Sequence, residues 1–304
     1  MKSPKVWKSF QDQLVLLENR KLNIRDKKRA LSYLERIGYY RLSGYWHPFK
    51  QKDILGKCLD EFIPNSYFEE ALDLYVFDKR LRLLALDALE RIEIAIRVDV
   101  AHLLGKKETL AHMNPLRFDG SFKHTEWTDK YDNLVDFAKT AEFVIHHRNH
   151  YGGKLPIWVA SEIWDFGALS RLYAGMKQVD KDKIARKYRL PSGKNLETQL
   201  HAFNVIRNIS AHHGRLWNRN AISRVSLKGI IDPELHKLST NQMFVYFCLM
   251  KRMLDIICPR STWGERFLLL INEFPKSCNG AIAINQFGLS KQIDLQNWKL
   301  WNTK

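Results

Sequence analysis

The sequence predicts an all-α fold, a bundle of helices, and three observations carry that reading. Only 15 Gly and 9 Pro punctuate 304 residues, sparse for a β-rich chain with many turns. The hydrophobic fraction is 45% and the aromatic fraction 12%, enough for a substantial core and against disorder over most of the chain. From about Tyr75 to Leu104, Leu81, Leu84, Ala85, Ala88, Leu89, Ile92, Ala95, Ile96 and Leu103 recur at helical spacing and form one broad apolar stripe.

Taken in order, a first helix is expected over about 8–20 and a second, capped by Asn23 or Asp26, up to Gly38. The segment 37–46 interleaves aromatics with glycines and reads as a turn with a packed loop or short helix. The long helix comes next, with Glu93 and Arg97 four apart and able to pair. Residues 105–155 are polar, His-rich and less periodic, helices joined by loops with Gly152-Gly153 as a break. Helices are then expected from Leu155 to about Phe166, over Ala168–Lys177, over Asn195–His213, and near 240–257 and 262–273, before a weakly structured tail. This divides the chain into an N-terminal helical region with a Tyr/Trp-rich signature (1–75), a helical core (76–275) and a C-terminal tail (276–304).

The formal net charge is +16, from 49 Lys+Arg against 33 Asp+Glu, which attracts polyanions such as nucleic acid. The four cysteines, Cys58, Cys248, Cys258 and Cys278, form no CxxC pair and lie at no zinc-ligand spacing. They read as reduced thiols, mostly core filler, in a cytoplasmic protein. The N-terminus lacks an apolar signal core, and no run reaches the ~18 apolar residues of a membrane span, so no membrane role is expected.

The informative segment is Asn204 to Arg219. On a helical wheel Leu196, Leu200 and Phe203 share one face and Arg207 falls in the middle of it. Burying a lone charge is costly, so Arg207 should have a carboxylate partner, with Glu90 or Glu93 as candidates, or face a polar cleft. Ala202, Val205 and Ile209 form a second apolar face, while Asn208 and His212 are four apart and share a side. Gly214 is the expected C-cap, placing His212 and His213 in the last turn. Arg plus His is what metal-free RNA cleavage requires: an imidazole to move a proton, a guanidinium to hold the scissile phosphate. On the pattern alone, a structural ion pair for Arg207 and a surface role for His212 is the better reading. The i, i+5 offset sets the two side chains ~140° apart on an ideal helix, so joint action needs distortion, a long reach or a second protomer.

Four segments together resemble the Abi-like (abortive infection, AbiD/AbiF-type) family. They are Tyr33 to Phe49 (YLERIGYYRLSGYWHPF), Asp78-Lys79-Arg80-Leu81 with Leu89 to Arg97, Leu155-Pro156-Ile157-Trp158 with Glu162 and Phe166 to Ser170, and Arg207-Asn208 to Asn218. The Arg207-Asn208-x-x-x-His212 block is similar to a HEPN ribonuclease motif. The resemblance implies a HEPN-like core with an N-terminal helical extension and a homodimer whose motifs face each other. It implies catalytic Arg207 and His212 with Asn208 in support, and restraint by a small non-coding RNA. No cofactor and no metal are implied.

An RNA-contacting set is expected around the motif. Tyr39 and Tyr40 could stack on bases and Arg36 and Arg41 meet phosphate, or the aromatics could pack as a corner, the better reading for Tyr45 and Trp46. His213 and Arg215 flank the motif, and Lys187 and Arg189 belong to a basic stretch with Lys181, Lys183, Arg186 and Lys194 that is either a solvated face or an RNA guide. His146, His147, Arg148 and His150 read as a basic loop rather than a metal site, since no paired carboxylate accompanies them. Three functions remain open: a toxin-like endoribonuclease, a non-catalytic RNA-binding module, and a helical protein whose basic face meets an acidic partner.

Overall fold

The computed structural model describes residues 6–302 and is mostly α-helical, as the sequence predicts. Helix α1 (Phe10–Asn19) begins at a capping box, in which the Ser9 hydroxyl accepts from the Asp12 amide and the Asp12 carboxylate accepts from Ser9. Asp26 caps α2 (Lys27–Ile37) by accepting from the Arg29 amide at 2.9 Å, and Gly38, at φ 87°, ends it. The aromatic-glycine segment is then a full helix, α3 (Tyr39–Trp46), burying Leu42, Tyr45 and Trp46.

A short antiparallel hairpin, β1 (Lys50–Lys52) and β2 (Cys58–Phe62), comes after it, an element the sequence pattern does not announce. Asp53 Oδ1 accepts from the Leu55 and Lys57 amides to form its turn.

Helix α4 (Phe68–Gly105) starts seven residues earlier than the expected Tyr75. At ~1.5 Å per residue it is the axis of the fold. Leu81, Ala85, Ala88, Leu89, Ile92 and Ile96 are buried along it, each large apolar side chain contributing about 1.5–3 kcal/mol. After it come α5 (His124–Phe137), α6 (Glu142–Tyr151), α7 (Ile157–Ala160), α8 (Phe166–Gly175), α9 (Gln178–Lys187) and α10 (Gly193–Ala211), of which α7, α8, α9 and α10 pack on α4 and α5 packs on α8. They are succeeded by α11 (Pro233–His236), α12 (Met243–Ile257) and α13 (Trp263–Asn272). The helix expected from Leu155 to Phe166 stops after one turn, and Phe166 instead opens the next helix under the Asp165 cap. Of the basic stretch, Lys181, Lys183, Arg186 and Lys187 lie on α9, Arg189 follows it and Lys194 lies on α10, and the histidines expected in a loop lie on α6.

Helix α10, the motif helix, packs on α4, α8 and α9. It buries Leu196, Leu200, Phe203 and Ile206, and its first residue, Gly193, sits where a Cβ would meet Lys181 Cβ at 2.4 Å. Among its described residues the tail has one 3₁₀ turn, at Ile284–Phe287, yet it is packed: Trp301 stacks on Phe267 at 4.8 Å, beside Phe247 and Trp263. The cysteines are free as expected, but only Cys248 is buried and Cys278 is exposed, so core filling describes one of them.

Candidate active site and nucleic-acid interface

Arg207 faces a polar cleft, the second of the two arrangements its position on an apolar stripe allows. The cleft holds about 170 Å³ between α5, the first turn of α8 and α10. Its charged and polar walls are Lys130, Asp165, Arg171, Asn204, Arg207 and Asn208. Lys130 pairs with Asp165 Oδ1 at 2.8 Å, and the same carboxylate caps the Ala168 amide. Partial burial disfavours the charge on Asp165, but Lys130, the Ala168 amide and Arg207 outweigh it and hold the carboxyl below its usual range. Arg207 donates to Asn208 Oδ1 at 3.3 Å and has no carboxylate within ion-pair distance among the described residues. The candidate partner Glu93 is committed instead to Arg97, which also donates to the Trp164 carbonyl. Burial raises the Glu93 carboxyl, against the fields of Arg97 and Arg207.

Gly167 keeps this cleft open. A Cβ there would lie 3.2 Å from Asp165 Oδ1, 3.4 Å from Lys130 Nζ and 3.5 Å from Asn204 Nδ2. Phe166 and Gly167, at the start of the Phe166-Gly167-Ala168-Leu169-Ser170 segment, thus form part of the wall of the Arg207 cleft.

His212 is exposed, caps α10 and is not among the residues lining the Arg207 cleft, in keeping with the wheel offset. The helix ends at Ala211 and its cap, His212, lies two residues before the expected Gly214. His213 takes the left-handed conformation, φ 58°, its amide donating to the Ser210 carbonyl, while the Gly214 amide donates to the Ile209 carbonyl at 2.8 Å. This is a Schellman closure with a histidine in the place glycine prefers.

A buried network holds the loop after the motif. Asp78, fully buried on α4, accepts from the Trp217 amide at 2.7 Å, the Leu216 amide at 3.1 Å and the Tyr45 hydroxyl at 2.6 Å, and pairs with Arg82. Arg82 also donates to the Gly214 carbonyl at 3.4 Å. Arg41 donates to the His213 carbonyl at 2.9 Å, and Arg215 donates to the Gly44 carbonyl. Three separated segments, around Tyr45, Asp78 and Arg215, therefore lock one loop.

The remaining expected RNA contacts are dispersed. Tyr40 is 91% exposed, whereas Tyr39 is half-buried against Trp46 and accepts from Arg20. Tyr45 and Trp46 are buried, a packed corner. Arg36 folds back on Ser32. Lys187 pairs with Asp99, and Arg189, exposed at φ 54°, lines a separate cleft near the tail. Lys181 and Lys194 both pair with Glu197. Sequence reasoning missed Lys130, Asp165, Arg171 and Asn204; the one available signal was Asp165 as an N-cap ahead of an apolar helical run. Among the described residues no helix is long and apolar enough to cross a membrane.

No curated protein and no solved structure matches the chain. The family model of Abi-like proteins matches residues 32–218, a span that opens at the first of the four resembling segments and closes at the last. It contains the Arg207 cleft and every residue of the Asp78 network. The chain belongs to the Abi-like protein family, which supports a role in abortive infection.

Proposed function

We propose that this protein is a toxin-like, metal-independent endoribonuclease of anti-phage defence, of the HEPN type, acting as a cytoplasmic homodimer restrained by a partner RNA. The observation that supports it is the half-buried Arg207 guanidinium in an open polar cleft, with no carboxylate within ion-pair distance among the described residues and the cleft's Asp165 paired with Lys130. A phosphate is the ligand such a group suits. In the reaction His212 takes the proton of a ribose 2′-hydroxyl, whose oxygen forms a bond to phosphorus. Arg207 stabilises the charge on the phosphoryl oxygens, with Asn208 orienting the guanidinium. The bond from phosphorus to the 5′-oxygen breaks, and a proton returns to that oxygen from an imidazolium or solvent. The products are a 2′,3′-cyclic phosphate and a 5′-hydroxyl, and DNA is not cut.

The separation of His212 from the Arg207 cleft favours a site completed by a second protomer. It also supports the second reading, a non-catalytic RNA-binding protein acting with a small non-coding RNA. Sequencing the RNA that co-purifies with the native protein and with His212→Ala, and mapping its ends in the presence of a chelator, separates the two. Cyclic phosphate ends with the native protein alone are expected. RNA bound equally by both proteins with no new ends would replace the first reading with the second.

A further inference from the structure

Arg171 stands in the walls of two clefts. On α8 it faces the Arg207 cleft, and it also lines a larger cleft of about 670 Å³ that runs between α5, α8, α9 and the first turns of α10. Each lysine of both clefts has a carboxylate partner, although two of them share one. Lys130 pairs with Asp165, Lys123 with Glu126 at 2.8 Å, and Lys181 and Lys194 with Glu197. Asp119, in the wall of the larger cleft, is satisfied by the Ser121 amide and hydroxyl. Arg171 is exposed and makes no ion pair or side-chain hydrogen bond among the described residues, and Arg207 has only the Asn208 amide. The cations of the two clefts without a carboxylate partner among the described residues are therefore two guanidiniums, Arg207 in the smaller cleft and Arg171 in the wall that both share. Beyond Arg171 the larger cleft offers an aromatic surface. Phe122 is half-buried over Gly175, where a Cβ would meet its ring at 2.3 Å.

The geometry points to a track for single-stranded RNA through both clefts: Arg207 takes the scissile phosphate, Arg171 a neighbouring phosphate, and Phe122 stacks on the base of a flanking nucleotide. It rests on the reading of the Arg207 cleft as an RNA site. An unpaired strand is required because a base must leave any duplex to reach a ring recessed in a cleft, and stacking with backbone cations is how such strands are held. Arg171 is thus a binding residue that gives the protein a preference for longer strands.

The test uses labelled 2′-O-methyl hexauridylate and diuridylate, which lack the attacking hydroxyl and so report binding without cleavage. The native protein is expected to bind the hexamer more tightly than the dimer. Arg171→Ala lowers hexamer affinity about tenfold and flattens the salt dependence of log K by ~0.7, the share of one phosphate on a single strand. Arg171→Lys restores the salt slope, and Phe122→Leu weakens the hexamer without changing that slope. The unfolding midpoint of Arg171→Ala should match the native protein, since the side chain is exposed. Hexamer affinity unchanged by Arg171→Ala, or a native protein that binds neither oligomer, overturns the track. A protein that binds through Arg171 yet leaves unmethylated hexamer intact keeps the track and loses the ribonuclease reading, whereas RNA cut equally well by Arg171→Ala, with equal hexamer affinity, loses the track alone.

Discussion

Two arginine-carboxylate neighbourhoods flank the last turns of the motif helix, and they treat charge in opposite ways. At the Asp78 network every strong acceptor is met: two backbone amides, a phenol and a guanidinium surround one fully buried carboxylate. At the Arg207 cleft the carboxylates are taken by other cations, Asp165 by Lys130 and Glu93 by Arg97, and two guanidiniums are left facing open space. The first arrangement ties three distant segments of chain into one loop. The second leaves its guanidiniums open to an anion. Fully paired buried charge belongs to architecture; partly exposed, uncompensated charge on a rigid helix is where chemistry can be done.

Asp78 is the point where this contrast breaks at the greatest cost. Asp78→Ala leaves Arg82 buried without its partner and two amides without an acceptor, and should destabilise the protein by about 3–5 kcal/mol in denaturant unfolding. A loss under about 1 kcal/mol would mean that solvent reaches the network.

Next comes acid sensitivity. Burial among Trp127, Tyr131 and Trp164 pushes the His112 imidazole down to about 4, with His124 adding to the effect. The unfolded chain binds this proton near pH 6.5 and the folded chain does not, so the stabilisation is fully present above about pH 6.5 and is lost as pH falls toward 4. The loss amounts to about 3 kcal/mol over that window. Unfolding measured across it should show His112→Phe lacking this component; an identical pH slope in both proteins would contradict it.

A smaller effect is expected at the end of the motif helix. His213→Gly relieves a left-handed side-chain residue and should raise stability by about 0.5–1 kcal/mol, read as a higher denaturation midpoint. A decrease would show that the imidazole makes a compensating contact.

The legibility of the sequence tracks the same contrast. The α4 stripe and the motif helix were readable because their apolar residues repeat every three or four positions. The start of α4 was not, because its N-cap, Tyr67, makes no side-chain capping bond. The hairpin was hidden because β2 buries only Phe62 and shows no alternation, and α9 because Ile184 and Ala185 are its only buried apolar residues amid charges. Helix α3 was obscured by Gly44, whose carbonyl receives Arg215. At the site, Arg207 stood out as a charge on an apolar face. Lys130, Asp165 and Arg171 did not, since nothing local in α5 or α8 marks which polar residues a distant helix will meet. The two arginines expected to touch RNA near the motif, Arg41 and Arg215, donate to backbone carbonyls of the locked loop, a use that only the packing of three segments reveals.

If Arg207 serves RNA chemistry rather than the fold, its removal must separate activity from stability. Unfolding free energy and cleavage of total cellular RNA, measured side by side for the native protein and Arg207→Ala, decide this. Stability within about 0.5 kcal/mol of native, together with loss of the cyclic-phosphate cleavage products, is the expected result. Cleavage that persists at the native rate, or a stability loss of several kcal/mol, would contradict it.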